Sequence, residues 1–551
     1  MTAQLLERDD RPESAAAAIL KSDWSAPALI IVIGCACALL LALPGATVAT
    51  RSLDELFYIL DGVHRVSWGQ VPSRDFHTLL GPLSFYLPAL GYWLSGRYGG
   101  ALPTAIALLL VLLSPVMAHV LTSRLRPYLA LLFAVFLLLI LAVPMNLGEP
   151  VTALSFAMFH NRIGWFAIAV LLVMYLVPSR PRSTQLALDT ACATLLTLLM
   201  LYTRITYGLV ALGFLLFMLT DARQYRWAGL AFVLVLAAAA IAELFWRGSA
   251  DFGRDVLMTA EVGGVLRGSW GQIIESLLAN FADYLLLGVI AALAFRRGAV
   301  MRDALFLAFC MLAGFWLLNQ NVQRWGIISI HTAAVVAAER ALRLLEHSPR
   351  SNQSDWINEP GFKLFFLALV LPTMVHCAIA LGLHSAVAAG GGGRPVPLPR
   401  MDTVRLANLW TDRDYRRANW YLGTLEGGVD LLSKIEPRPE RAVVLGGANP
   451  FAAALDMKPP RGDMPELLWR ATVDEAHYVP PQILLADVEF VLERLTGGKG
   501  GPAAELYLPY VARNFRRVGE TEHWRIHRRH VESAEQNGAA SQPVAAENSR
   551  R

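Results

Sequence analysis

Charged residues and cysteines are both scarce in this chain of 551 residues. Asp, Glu, Lys and Arg make up 17% of the sequence, and the formal net charge is +4. Because this basic excess is slight and lies mostly beside apolar runs, it excludes nucleic acid as an expected partner. The 5 cysteines all lie in apolar segments and form no C-x-x-C pair, so we expect neither a disulfide framework nor a thiolate metal site. The sequence also lacks a phosphate-binding glycine loop, since G-G-K-G-G at 497–501 does not have the P-loop spacing.

Apolar residues are abundant instead. They make up 55% of the sequence, and the mean hydropathy of +0.44 is that of an integral membrane protein. Because an apolar run of about 20 residues spans the hydrocarbon core, we predict about eleven crossings. The candidate spans are 26–49, 100–121, 128–145, 162–178, 186–203, 205–220, 228–246, 281–296, 303–319, 323–343 and 361–386.

The positive-inside rule orients these spans. Arg8, Arg11 and Lys21 precede the first span, which is too long and starts too late for a cleavable signal peptide, so we expect a cytoplasmic N-terminus. The region 186–220 is predicted to form two short helices rather than one. A single crossing would place the flanking Arg182 and Arg223 on opposite sides of the membrane.

Five regions follow from this reading. Residues 1–25 form a cytoplasmic tail, 26–386 the transmembrane domain, 387–400 a Gly/Pro linker, 401–530 an external domain and 531–551 a disordered tail. Apolar segments at 441–447, 484–493 and 524–527 are typical of strands, with helical patterns between them. We therefore predict a polytopic α-helical membrane protein with a small C-terminal α/β domain, which the odd number of spans places outside the cytoplasm.

The first external loop, 51–100, directly follows the first span. Helical spacing puts Tyr58 on a polar face together with Asp54, Asp61 and Arg65, which predicts a helix in the membrane interface that ends at Pro72. A second apolar helix is expected from about residue 79 to residue 94. Treating that helix as a crossing would reverse the charge rule for every later loop, so we expect it to be interfacial or re-entrant.

The acidic residues of this loop allow two interpretations. Ser52 and Glu55 have the S-x-x-E spacing of a capping box, in which Glu55 has a structural role. Asp54 lies where the span meets water and is our candidate catalytic residue, with Glu55 beside it. Asp75 is either a turn former paired with Arg74 or a substrate-binding residue.

The order of motifs in this loop is informative. D-E at 54–55 is followed about fifteen residues later by G-x-x-P and then by G-P-L at 81–83 with neighbouring aromatics. This order resembles the GT-C superfamily of polyprenyl-phosphate-sugar-dependent glycosyltransferases, in particular the bacterial branch shared with protein O-mannosyltransferases and lipid A aminoarabinose transferases. The resemblance implies that Asp54 is the catalytic base. The K-P-P-L motif of many members is represented here by Gly81, Pro82 and Leu83, so its lysine is absent.

Polar residues at predicted external helix ends surround one expected cavity. A cationic residue there can hold a leaving phosphate, or it can merely extend toward lipid headgroups. Our candidates for binding the donor phosphate or substrate are Arg204, Arg162, Arg324, Asp75, Glu149 and Tyr58. Glu149 can alternatively cap the helix that follows it. The histidines have no metal-ligand spacing, and the divalent cation that some GT-C enzymes use is neither indicated nor excluded.

The resemblance implies a function. We expect transfer of a sugar from a polyprenyl-phosphate donor to an envelope glycan, lipid or protein, on the external face of a bacterial inner membrane and with inversion of the anomeric carbon. A transporter or flippase of lipid-linked saccharides is an alternative, although it predicts charges deep within the helices and a repeat between halves. A non-catalytic membrane scaffold is the third possibility, and it leaves the acidic loop unexplained.

Overall fold

The structure is a computed structural model that describes residues 25–264, 269–321, 323, 325–347, 359–410, 412–496 and 501–530. The predicted tails before residue 25 and after residue 530 lie outside the described residues, and so does Arg324. The first 15 described helices are labelled α1 to α15. In chain order they are Ser25–Ala42, Leu53–Ser67, Leu83–Ser95, Tyr98–Arg124, Pro127–Ala142, Phe159–Val173, Gln185–Thr203, Ile205–Leu219, Tyr225–Trp246, Ser249–Gly263, Trp270–Ala279, Phe281–Arg296, Met301–Gln320, Ile328–His347 and Glu359–Ala389.

Each predicted span overlaps one of these helices, although the first helix ends at Ala42 rather than at residue 49. Among the described helices, 6 are long and apolar enough to cross a membrane, namely α1, α4, α7, α9, α13 and α15. Helices α11 and α12 meet the same criterion as a pair that bends by 55°. Helices α5, α6 and α8 are apolar but shorter. The predicted class, a polytopic helical membrane protein, is confirmed, while the number of crossings stays a prediction.

The break within 186–220 is also confirmed. Helix α7 ends at Thr203 and α8 begins at Ile205, with Arg204 between them in an extended conformation at φ −153° and ψ 113°. The two helices are in close contact at Gly208, where an added Cβ would lie only 2.5 Å from Leu201 Cδ2. The chain therefore turns back on itself at Arg204.

Helix α6 lies at the centre of the helical domain. All of its residues, from Phe159 to Val173, are buried. Its neighbour α8 is held close by Gly164, where a Cβ would lie 2.6 Å from the ring of Tyr207. Since α6 begins at the predicted external end of the bundle, its first polar residues are fixed inside the protein rather than in water.

The predicted linker differs from the structure. Helix α15 continues to Ala389, and the chain then forms strands β2 (Arg394–Pro395) and β3 (Val404–Leu406). Strand β3 pairs in parallel with β1 (Thr47–Ala49), and β2 pairs antiparallel with β3. Within 387–400 the structure thus has the end of a helix and a short strand, and the pairing with the end of the first span follows directly after this segment.

The C-terminal domain is α/β, as predicted. Its sheet consists of β4 (Ala442–Leu445), β5 (Phe490–Arg494), β6 (Phe515–Glu520) and β7 (Trp524–Arg529). The strand order is β4-β5-β7-β6, in which β4 and β5 are parallel and the other neighbours are antiparallel. The predicted strands at 441–447 and 524–527 are present, whereas 484–493 becomes a strand only from Phe490 because Pro481 begins a short helix. The helices α16 to α20 are Asp412–Ser433, Pro450–Leu455, Pro481–Leu484, Gly501–Glu505 and Leu508–Asn514.

Candidate functional site

The capping box predicted at the start of α2 does not form. Ser52 has φ +52°, in the left-handed region, and its side chain makes no capping hydrogen bond within the described chain. An N-cap side chain reaches the first helical N–H groups from an extended backbone, which this conformation does not provide. The structural role expected for Glu55 as the capping partner is therefore wrong.

The polar face of α2 is buried rather than exposed at the membrane interface. Every residue from Leu56 to Val66 is buried, including Asp61 and Arg65, which are both 0% exposed. The C-terminal domain covers this face. The helix also ends earlier than predicted, at Ser67, because Gly69 turns the chain with φ +78° before Pro72 is reached.

Arg65 is the centre of this contact. Its guanidinium donates to both carboxylate oxygens of Asp463 at 2.7 and 2.8 Å and, through Nε, to Asp61 at 2.7 Å. It also donates to the carbonyl of Pro460 at 3.1 Å. A bidentate, charge-assisted pair of this kind fixes both position and orientation. It joins the first external loop to a segment that is 398 residues away in sequence.

Further contacts hold the same segment, 457–466, along the first loop. His64 bonds to the carbonyl of Met457 at 2.7 Å, and Gln70 donates to the carbonyl of Pro459 at 2.9 Å. The N–H of His77 donates to the carbonyl of Asp463 at 2.8 Å. The segment is therefore anchored at several points before it reaches Glu466.

Asp75 has the contacts of a turn former. Its carboxylate accepts from the N–H of Val71 at 2.7 Å and from Arg74 at 3.4 Å, and its carbonyl accepts from the N–H of Gly462 at 2.8 Å. These contacts give Asp75 a structural task in the same interface. A substrate-binding role for it stays a prediction.

Two acidic residues open α2, and a third faces them. Asp54 is exposed and Glu55 partly buried in its first turn. Burial, together with the charges of Glu55 and Asp54, raises the pKa of Glu466 to about 8. No sequence signal marks Glu466, because M-P-E-L-L carries no motif and only the fold brings it to the loop. Sequence reasoning missed this residue.

Tyr58 lies one turn further along α2. It is 5% exposed, and its hydroxyl forms a 2.8 Å hydrogen bond with Thr78. Burial raises its pKa, as does the charge of Glu466, whereas the charge of Arg204 lowers it. Tyr58 therefore experiences the opposing charges of Glu466 and Arg204.

Arg204 is held at this position by the G-P-L motif. A Cβ on Gly81 would lie 2.2 Å from the carbonyl oxygen of Tyr202, so only glycine allows the loop to approach the turn. The N–H of Gly81 and the hydroxyl of Ser84 both donate to the carbonyl of Thr203, at 3.1 and 2.9 Å. Beyond this turn, Arg204 donates to Nε2 of His160 on α6 at 3.0 Å.

Arg162 lies deeper, also on α6, and is 1% exposed. Its Nη1 donates to the carbonyls of Met145 at 3.0 Å and Ala157 at 3.4 Å. Its Nε and Nη2 have no hydrogen-bond partner among the residues that the structure describes. A buried guanidinium with free donors and no carboxylate is suited to an anionic ligand.

Glu149 pairs with Arg51 at 2.6 Å, and the two side chains are about one third exposed. The next helix begins only at Phe159 with Met158 as its N-cap, so Glu149 does not cap it. Arg324 lies outside the described residues. Within the described part of the chain, no group of three or more His, Cys, Asp or Glu side chains is arranged to hold a metal ion.

The site thus combines two chemical halves. Asp54, Glu55 and Glu466 form an acidic group at the start of α2, and Arg204 with His160 and Arg162 forms a basic group toward the bundle. Carboxylates can accept a proton from a hydroxyl, and buried guanidinium groups can stabilise a phosphate.

Comparison with known proteins gives structural neighbours. No family model matches the chain, and no curated protein matches it. The fold is similar to a crystal structure of ArnT from Cupriavidus metallidurans bound to undecaprenyl phosphate, at 14% identity and a TM-score of 0.47, over 91% of this chain and 98% of that one. It is also similar to the apo structure of the same protein, at 13% identity and a TM-score of 0.46, over 91% and 97%.

Proposed function

We propose that this protein is a membrane glycosyltransferase that moves a sugar from a polyprenyl-phosphate donor to an acceptor at the external face of a bacterial inner membrane. The acceptor class is an envelope glycan, lipid or protein. Asp54 is the general base, and Arg204 and Arg162 bind the donor phosphate.

One observation carries the proposal: the first external loop, which begins with Asp54 and Glu55, contacts the Arg204 turn directly. The N–H of Gly81 and the hydroxyl of Ser84, both in this loop, donate to the carbonyl of Thr203. The two halves of the site are therefore parts of one constellation at one end of the helical domain. Glycosyl transfer requires such a combination, since a base must take the acceptor proton while cations hold the leaving phosphate.

The surroundings of Arg204 suit a lipid-linked donor. Tyr202 makes an edge-to-face contact with Trp246 at the end of α9, with 5.9 Å between ring centroids. Helix α9 packs against α7 and α8, yet most of its apolar side chains remain exposed. A polyprenyl chain lying along this apolar surface would bring its phosphate to the Arg204 turn, in the hydrocarbon-facing half of the site.

Asp54 is accessible to an acceptor, as a general base must be. Its carboxylate is exposed and lies in the first helical turn, where the helix dipole stabilises its charge. In the proposed reaction it accepts the acceptor hydroxyl proton. The acceptor oxygen bonds to the anomeric carbon as the bond to the phosphate oxygen breaks, and the polyprenyl phosphate leaves with both electrons of that bond.

The test uses purified protein in lipid nanodiscs with a panel of tritiated undecaprenyl-phosphate sugars and an envelope extract from cells lacking the protein. Asp54→Asn should lower the rate of transfer by a factor of about 100 to 10,000, because general-base catalysis contributes that much. Its stability should change by less than about 1 kcal/mol, since only a helix-dipole interaction is lost. A rate close to that of the wild type would contradict the role of Asp54.

A matched control is Asp412→Asn, which alters an exposed carboxylate in the first turn of α16, outside the site. It should leave transfer unchanged. Glu55→Gln separates the two neighbours: if it abolishes transfer while Asp54→Asn does not, the base is Glu55. If the wild type transfers no sugar but moves the intact donor across the bilayer, the flippase alternative replaces the proposal.

A further inference from the structure

The segment 457–466 carries one acidic side chain from the C-terminal domain into the site. The buried bidentate pair between Arg65 and Asp463 fixes the segment 3 residues before Glu466. On the other side, the hydroxyl of Thr472 donates to the carbonyl of Glu466 at 3.0 Å. The neighbouring Leu467 is fully buried in the core of the C-terminal domain. Glu466 is therefore held from both sides.

From this geometry we propose that Glu466 binds the acceptor, so that the C-terminal domain completes the active site. The inference rests on the proposed function, in which Asp54 is the base and Arg204 and Arg162 bind the donor. Neither of these roles uses Glu466. It enters from the external domain, which is the side from which an acceptor in the aqueous phase or at the headgroup level arrives.

The chemistry of the site favours a hydroxyl-bearing acceptor. With its pKa raised to about 8, Glu466 is mostly protonated at neutral pH. A neutral carboxyl group donates one hydrogen bond and accepts others, and it can lie beside the charges of Asp54 and Glu55 without repulsion. It can thus donate to one oxygen of a sugar while the adjacent hydroxyl is presented to Asp54.

The rigidity of the segment supports this role. A binding group is effective when its support is ordered before the ligand arrives, because no conformational freedom is then lost on binding. The contacts of Arg65, His64 and Gln70 provide that support. The need to hold Glu466 in place would also explain the buried ion pair between Arg65 and Asp463, which joins the two domains.

The experiment measures transfer at saturating donor while the amount of the envelope extract is varied. Glu466→Ala should raise the half-saturating amount of extract by about 10-fold to 100-fold, as expected for one lost hydrogen bond in a desolvated site. The maximal rate and the half-saturating donor concentration should stay within about threefold of the wild type. Glu475→Ala, at an exposed position of the same domain, is the matched control and should have no effect.

A second variant separates binding from a merely structural role. Glu466→Gln keeps one donor group and one acceptor group, so it should bind extract almost as well as the wild type at pH 7. The wild type should lose affinity for the extract as pH rises from 7 to 9, because the charges of Asp54 and Glu55 repel ionised Glu466 and the charge of Arg204 offsets this repulsion only in part. The glutamine variant should lack this dependence.

The outcomes distinguish the two proposals. If Asp54→Asn abolishes transfer but Glu466→Ala leaves the extract dependence unchanged, this inference is wrong and the proposed function stands. An unchanged pH profile in Glu466→Gln would also contradict it. If the wild type transfers sugar from none of the donors, the proposed function fails and this inference fails with it.

Discussion

Two buried arginines, Arg65 and Arg162, have opposite surroundings. Arg65 is 0% exposed and is paired with two carboxylates, Asp463 and Asp61. Arg162 is 1% exposed, and its hydrogen bonds go to carbonyl groups alone among the described residues. The charge of Arg65 is therefore neutralised within the protein. Arg162 instead keeps N–H donors and a positive charge that an anionic ligand can use.

The difference separates support from binding. A buried charge costs several kcal/mol unless it is paired, so a protein that tolerates an unpaired guanidinium has a reason for it. In Arg65 the charge joins two domains. The charge of Arg162 lies in the first turn of the central helix α6, near Arg204. We propose that the donor phosphate binds there.

The largest expected effect comes from breaking the Arg65 pair. Asp463→Ala leaves a buried guanidinium with one carboxylate instead of two, and loss of a buried partner costs about 3–5 kcal/mol. We expect a lower Tm in detergent, and rapid proteolysis at the contact between the first loop and the C-terminal domain. Scanning fluorimetry and limited trypsin digestion measure the two effects.

A matched control is Asp487→Ala, which removes the partner of Arg441 in the same domain. Both side chains of that pair are about one third exposed. Partly exposed pairs contribute only about 0–1 kcal/mol, so the Tm should hardly change. Equal destabilisation by the two variants would mean that burial of the Arg65 pair has no special importance.

The next effect concerns Arg162, and it should change binding rather than stability. Arg162→Met keeps the length of the side chain and removes an unpaired charge, so the Tm should be unchanged or higher. The half-saturating donor concentration should rise by about 10-fold to 100-fold, because a hydrogen bond to a charged group contributes about 1.5–3 kcal/mol. Transfer assays at varied donor concentration measure this change.

Arg65→Met is the matched variant for Arg162→Met. It removes the same kind of side chain but leaves Asp61 and Asp463 buried without their cation, so it should lower the Tm strongly. If Arg162→Met lowers the Tm as much as Arg65→Met does, Arg162 is structural and the contrast between the two arginines is wrong.

Features that depend on local pattern could be predicted from sequence. Hydropathy located the helices of the eleven predicted spans but not α10 and α11, which lie between two of those spans. The charges at Arg182 and Arg223 correctly indicated the break that the structure places at Arg204. The acidic start of α2 was recognised because it follows the first span directly. These features are decided within one turn or one span of chain.

Features that depend on distant contacts could not be predicted. The polar face of α2 carries Asp61 and Arg65, which indicated a water-facing surface, and nothing local shows that Asp463 would cover it. The same holds for the pairing of Thr47 with Val404 and for Glu466, which acquires its surroundings only when the domains meet. The capping box failed for a related reason, since the loop fixes Ser52 in a left-handed conformation.

The last expected effect is the pH dependence of stability that Glu466 contributes. Its pKa is about 8 in the folded protein against 4.5 as the ordinary value, so the folded state binds more protons than the unfolded state between these limits. The stability of the wild type should therefore decrease as pH rises from about 4.5 through 8, while Glu466→Gln lacks this contribution. Among the described residues, the groups that interact electrostatically with Glu466 are Asp54, Glu55, Tyr58 and Arg204, and none of them is altered in the variant. We expect the two proteins to have similar Tm values at pH 5, and the variant to unfold at a temperature a few degrees higher at pH 9. Scanning fluorimetry across this range measures the difference, and a constant gap in Tm from pH 5 to pH 9 would show that Glu466 does not take up its proton on folding.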